Sequence, residues 1–251
     1  MKQHRQWMMP VLVMLAFLLI WEMCVHLFNI ALYILPAPSD IVSAMLECAP
    51  QLWVHSLVTL QEAIIGLILA LILAVVLAVL MDLSKTIKHS IFPHLIISQT
   101  IPVMVLGPLF SIWFGFGMTP KIMMVIFMCF FPIVIAFCDA LEKVDTKKIH
   151  LLKSFGASTL QVYLYCKIPD AASALFSGLK VATSYCIGGA IVGEWLSASS
   201  GLGYYMLRLK NGYMLDKVFA CVVVIVLFSL LLNLIVNFIE YICFPHRSKK
   251  G

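Results

Sequence analysis

Two carboxylates stand in sequence otherwise apolar enough to dissolve in lipid: Glu62, between Thr59 and Gly66, and Glu194, between Gly193 and Trp195. A charge in bilayer hydrocarbon is costly, so such a residue either reaches the wet interface or lines a polar path. Thr59, Glu62 and Gly66 fall at i, i+3 and i+7, on one face of a helix. Trp195 is a residue type of the interfacial belt, so both readings stay open for Glu194. Glu22 reads as the outer end of the first apolar run, within reach of water. Gln99 and Thr100 lie in an apolar segment that also holds Pro93, Pro102 and Pro108. Each proline removes a backbone hydrogen bond and bends or breaks a helix. In lipid the freed carbonyls need a neighbouring helix or a water-filled cavity. The stretch with Gln99, Thr100 and Pro102 is therefore the wall of a solute path or a bent packing helix.

Chemistry of other kinds is missing from the pattern. No GxxxxGKS or GxxxxGKT phosphate loop occurs, so the chain is not expected to bind and hydrolyse ATP itself. There is no HExxH, no GxSxG and no cluster of His, Asp and Glu, so neither catalysis nor a metal site is expected. The eight cysteines are dispersed without a CxxC pair, mostly inside apolar runs, and read as small apolar fillers.

The longest hydrophilic interruption runs from Asp139 to Ala174 and carries Lys143, Lys147, Lys148, Lys153 and Lys167. Ile149, Leu152 and Phe155 recur there at helical spacing, with Leu151 beside them, which predicts a short amphipathic helix outside the bilayer. Gly156 reads as its end, and Ala157 to Tyr165 as a second short helix. Such a pair is either a plug for a groove on another protein or a basic loop that sets topology.

The elements that position these residues follow from composition. At 63% apolar and 12% charged, the 251 residues lie far outside globular norms and belong in a bilayer. The net charge of +5 follows the membrane and does not call for a nucleic-acid partner. Six spans are predicted, at about 8–28, 57–81, 91–114, 122–138, 175–196 and 217–244, with the loop at 139–174. The class is an all-α polytopic membrane protein forming one domain. Pro36 and Pro38 mark an external loop, and Ser39 or Asp40 is expected to cap a short helix ending at Glu47. Gly115-Phe116-Gly117 turns the chain outside, and Lys121 marks the interface. Gly189 and Gly193 form a small-xxx-small pair suited to close helix packing. Ser200-Gly201-Leu202-Gly203 reads as an external loop or re-entrant turn. With both ends inside, the inner segments hold Lys2, Arg5, Lys85, Lys88, the five loop lysines, Arg247, Lys249 and Lys250. The outer ones hold only Lys121, Arg208, Lys210 and Lys217, as the positive-inside rule requires.

Gly156, nine further residues, then Cys166-Lys167-Ile168-Pro169 resembles the cytoplasmic signature of binding-protein-dependent ABC importer permeases. That signature reads Glu-Ala-Ala, three residues, Gly, nine residues, Ile-x-Leu-Pro. Glycine and proline match, Ile168 stands for Leu, and Cys166 and His150-Leu151-Leu152 depart from it. The resemblance covers nearly the whole chain. Leu35-Pro36-Ala37-Pro38-Ser39, Thr59-Leu60-Gln61-Glu62 with Gly66, and Gln99-Thr100-Ile101-Pro102 resemble the branch for sulfonates, taurine, nitrate and thiamine-pyrimidine precursors. Trp113-Phe114-Gly115-Phe116-Gly117, Cys129-Phe130-Phe131-Pro132 and Gly193-Glu194-Trp195-Leu196 most resemble permeases assigned to hydroxymethylpyrimidine precursors.

The resemblance implies a multi-pass subunit of the bacterial inner membrane, itself not an enzyme. Two copies would form the path, served by two cytoplasmic ABC ATPase subunits, which hold ATP and Mg, and by an extracytoplasmic substrate-binding protein. It implies ATPase coupling through Lys147, Ile149, His150, Leu151, Leu152, Phe155, Gly156, Ala157 and Pro169. It gives a translocation path to Glu62, Gln99, Thr100, Pro102 and Glu194. A self-sufficient secondary carrier would need paired intramembrane charges for ion coupling, and a mere scaffold would not explain the triple-proline segment.

Overall fold

The computed structural model describes residues 2–197 and 199–244, and His246, Arg247, Lys249 and Lys250 of the basic tail lie outside them. The described residues form helices and no strand. The helices are α1 (Lys2–Leu27), α2 (Pro38–Glu47), α3 (Ala49–Leu83), α4 (Lys85–Ser98), α5 (Val103–Phe114) and α6 (Met118–Glu142). There follow α7 (Thr146–Ser154), α8 (Thr159–Val162), a π-helical turn (Tyr163–Lys167), α9 (Ile168–Ser197), α10 (Leu202–Asn211) and α11 (Leu215–Cys243). Helix α2 ends at Glu47 as expected, but Ala37 is its N-cap, with Pro38 in the first turn. Asp40 reaches back to accept the Ala37 N–H at 3.0 Å, while Ser39 turns to Glu22 of α1.

The membrane helices outrun the apolar windows that announce them. The 35 residues of α3 span about 52 Å, well beyond the ~30 Å hydrocarbon layer. Helix α6 continues to Glu142 and α9 starts at Ile168, both inside the stretch read from sequence as loop. Helix formation needs only satisfied backbone, so it extends into the headgroup region where hydropathy has already fallen.

The proline-rich third span is two helices, α4 and α5, bent by 105°. Pro93 and Pro108 stay inside α4 and α5, and the break falls at Gln99–Pro102. Pro102 cannot donate to the helix and restricts the residue before it. The pair still crosses the bundle. The start of α4 lies at the end of α6, where Lys88 pairs with Glu142. The end of α5 leads into the start of α6, where Lys121 meets Glu62 at 2.7 Å. It is one broken crossing, which makes six among the described residues with the five helices long and apolar enough to span.

Helix α6 is the axis of the bundle, packed on α9 and α3. Ala63, Ala70, Ala74 and Ala78 give α3 a stripe of fully buried small residues facing the core of Phe137, Ile133 and Val134. A Cβ on Gly178 would come 2.7 Å from the Pro132 carbonyl and 3.0 Å from the Ile133 Cα, so α9 and α6 touch backbone to backbone there. The expected Gly189 and Gly193 pair serves the same contact, Gly193 lying against Lys121. Helix α1 packs loosely, most of its described side chains exposed but Val25 buried, and is tied to α2 by Glu22, which accepts from the Ser39 hydroxyl at 2.6 Å and N–H at 3.1 Å.

Candidate functional site

The residues singled out from the sequence fall into three places along the bundle. At one end, Glu62 of α3 and Glu194 of α9 come together, each about 1% exposed, so neither is a wet interfacial residue. Lys121, read from sequence as an interface marker, is buried too, its Nζ 2.7 Å from Glu62 Oε1. Lysine carries a long stem, and in a bilayer it turns inward when a carboxylate waits there. Glu62 Oε2 is buried with no hydrogen-bond partner among the described residues.

Glu194 has a different task. Its Oε1 accepts the Thr59 hydroxyl at 2.6 Å, and its Oε2 accepts the Gly203 N–H at 2.5 Å. Thr59 Oγ1 accepts the Leu202 N–H at 2.8 Å, and His55 Nδ1 the Gly201 N–H at 3.1 Å. These are the free donors at the start of α10, which has no capping side chain of its own. A carboxylate there also meets the positive end of the helix dipole. The glycines are required: a Cβ on Gly201, whose φ is +108°, would lie 2.1 Å from Glu194 Oε1, and one on Gly203 would lie 2.7 Å from the Ile191 carbonyl. The segment read as a loop or re-entrant turn is therefore a short turn through Ser200 and Gly201 that opens α10, strapped to α3 and α9. A cavity of about 550 Å³ opens beside it, lined by Lys121, Glu194, Phe116, Trp195, Ser199 and Tyr204.

Gln99 does not join this cluster. It lines a separate half-open cavity of about 300 Å³ with Phe127, Met128, Phe131, Val181 and Tyr185, beside the break between α4 and α5. Thr100 donates to the Ile97 carbonyl at 2.7 Å, and Pro102 is the N-cap of α5. The expected path residues thus divide between two places.

The third site is the loop between α6 and α9. Asp145 caps α7, accepting the Lys147 N–H at 2.8 Å. The helix ends in a Schellman motif: the Gly156 N–H donates to the Lys153 carbonyl at 2.9 Å, and the Ala157 N–H to the Leu152 carbonyl at 3.1 Å. Gly156 has φ +82° and no atom near a Cβ, so conformation alone demands glycine. Ser158 and Gln161 then form a capping box that starts α8. Ile149, Leu152 and Ala157 turn partly inward, while Leu151, Phe155 and Leu160 are exposed, Phe155 at 82%. The exposed apolar set is thus not the Ile149–Leu152–Phe155 stripe read from spacing, because the chain's own body covers two of its members. Pro169 follows the π-helical turn within helical backbone that runs on from α8 into α9, so the N–H it lacks is one the helix would otherwise use. Gly156→Val should strain this turn by about 1–2 kcal/mol and reduce recovery of the cognate ATPase in a detergent pull-down while insertion is kept. Undiminished recovery would count against a docking role for the turn.

A clamp that no local pattern announces holds this loop. Asp82, its side chain only 4% exposed at the end of α3, accepts Lys167 Nζ at 2.6 Å and also takes the Tyr163 hydroxyl. Both donors sit on the π-helical turn, an irregularity frequent at functional sites. Lys148 of α7 pairs with Asp170 of α9 at 2.6 Å, and that hydrogen bond raises the ammonium above its ordinary range. The only forewarning of the clamp was an aspartate at the edge of a long apolar run.

Residues 66–249 match the family described as "Binding-protein-dependent transport system inner membrane component". The chain is 36% identical over 223 residues to a "Probable ABC transporter permease protein" of Haemophilus influenzae, covering 89% of this chain and 91% of that one. It is 32% identical over 251 residues to the "Formylaminopyrimidine transport permease protein ThiX" of Halalkalibacterium halodurans, covering both chains in full. Among solved structures, one titled "Crystal structure of an amino acid ABC transporter with histidines" has the same fold, with a TM-score of 0.60 at 16% identity over 79% of this chain and 94% of that chain.

Proposed function

The chain belongs to the binding-protein-dependent transport system inner membrane component family, and from that membership we propose how it works and what it carries. It is a multi-pass inner-membrane permease subunit of an ABC importer. Two copies form the path. The loop from α7 to the π-helical turn and both chain ends face the cytoplasm, where the exposed Leu151, Phe155 and Leu160 enter a groove on each of two ATPase subunits that hold ATP and Mg. A binding protein delivers solute to the opposite face. Gln99, Thr100 and Pro102 border the path at mid-depth, and Glu62 and Glu194 build its outer mouth.

The observation that carries this reading is a solvent-exposed apolar knuckle that is rigidly tied to the bundle. Phe155 is 82% exposed on a loop that Asp82, Lys167 and Tyr163 bind to α3. Apolar side chains held out from a fixed base suit a partner groove, and the base turns motion of that partner into motion of the helices. The solute is a thiamine pyrimidine precursor, on the residue-level resemblance at 113–117, 129–132 and 193–196 and on the name of the full-length relative. The alternative solutes are aliphatic sulfonates, taurine and nitrate. Coupling must be reciprocal, so solute-loaded binding protein should accelerate ATP hydrolysis by the reconstituted assembly. Equal rates with and without it would sink the importer reading.

A further inference from the structure

We propose that the cavity at the α4–α5 break is a resting site for the solute inside the membrane, built for an uncharged, planar, hydrogen-bonding heterocycle and not for an anion. This rests on the importer reading above and names the chemistry of its path.

The cavity lies near mid-depth: Phe131 is close to the middle of α6, and Tyr185 to the middle of α9. At that depth an unpaired polar group is expensive unless it faces water or a ligand. Two such side chains meet here, both on the exposed side of the cavity wall. Among the described residues neither the Gln99 amide nor the Tyr185 hydroxyl has a hydrogen-bond partner, and both residues line the cavity. The site therefore offers an amide that donates and accepts and a phenol that does both.

The walls are aromatic, from Phe127, Phe131 and the Tyr185 ring, and about 300 Å³ suits a single substituted ring. Among the described residues no lysine, arginine or histidine lines it. A sulfonate or nitrate resting here would be a desolvated anion without a counter-charge, which is strongly disfavoured. A neutral aminopyrimidine would instead stack on the rings and satisfy both side chains, and loss of one hydrogen bond in such a site costs roughly tenfold in affinity.

The test uses the permease–ATPase complex in lipid nanodiscs without binding protein, so that the receptor's own selectivity does not enter. Equilibrium dialysis would compare radiolabelled 4-amino-5-hydroxymethyl-2-methylpyrimidine with taurine. The expected result is saturable binding of the pyrimidine, none of taurine, and affinity roughly tenfold weaker in Gln99→Leu and in Tyr185→Phe. Circular dichroism and ATPase recovery of both variants should match wild type. Absence of pyrimidine binding, equal binding of taurine, or unchanged affinity in both variants would each overturn the proposal. Failure of the importer reading shows separately, as loss of binding-protein-stimulated ATP hydrolysis in the unmutated assembly.

Discussion

Lys121→Met will lower the stability of the folded chain by about 3–5 kcal/mol, the usual cost of removing one partner from a buried ion pair. Glu62 is 1% exposed and, among the described residues, is ion-paired by Lys121 alone. Methionine fills the space of the lysine stem but leaves Glu62 without a countercharge, and Glu62 Oε2 is already unpartnered among the described residues. Thermal melts of the purified protein in detergent would show the loss. Adding Glu62→Gln should restore much of it, because a neutral amide next to methionine leaves no buried charge. A single variant that melts like wild type would mean that water reaches the pair and that the buried geometry is not kept in the bilayer. The same pair joins α3 to α6, so the destabilised variant should also lose its hold on the neighbouring Glu194 and the start of α10.

Asp82→Asn will separate ATPase docking from transport. The clamp lies about 30 Å along α3 from Glu62, and it joins the knuckle loop to the body through a charge-assisted bond from Lys167. Such bonds contribute about 1.5–3 kcal/mol. Asparagine can still accept the Tyr163 hydroxyl, so the loop should keep its shape and Phe155 its exposure. ATPase recovery in a pull-down should therefore stay normal, while uptake and the stimulation of ATP turnover by loaded binding protein fall roughly tenfold. Asp82→Glu, which keeps the charge, should recover part of the loss. Normal uptake by the asparagine variant would show that force does not travel through Asp82. Loss of ATPase binding would show instead that the clamp only shapes the docking surface.

Much of this architecture could be read along the chain, because lipid solvation imposes local rules. Apolar runs long enough to cross hydrocarbon announced the spans, and the lysine-bearing interruption announced the loop. Gly156 announced the turn inside it, since the left-handed backbone at φ +82° tolerates little else. The prolines announced a bend but not its place. Whether a freed carbonyl is satisfied depends on neighbouring helices, and so Pro93 and Pro108 stay helical while the chain breaks before Pro102.

What tertiary structure alone decided is the pairing of polar groups far apart in sequence. Glu62 finds Lys121 across 59 residues, Asp82 finds Lys167 across 85, and Glu194 and Thr59, 135 residues apart, together hold the start of α10. In sequence each of these side chains has two plausible fates, wet at an interface or buried with a partner, and their energies differ only once the partner's position is known. Gln99 and Tyr185 are the converse case, polar side chains that the fold brings to one cavity without a partner among the described residues. Residue pattern could say that a polar group in lipid must be satisfied, and only the packing of α3, α6 and α9 could say by what.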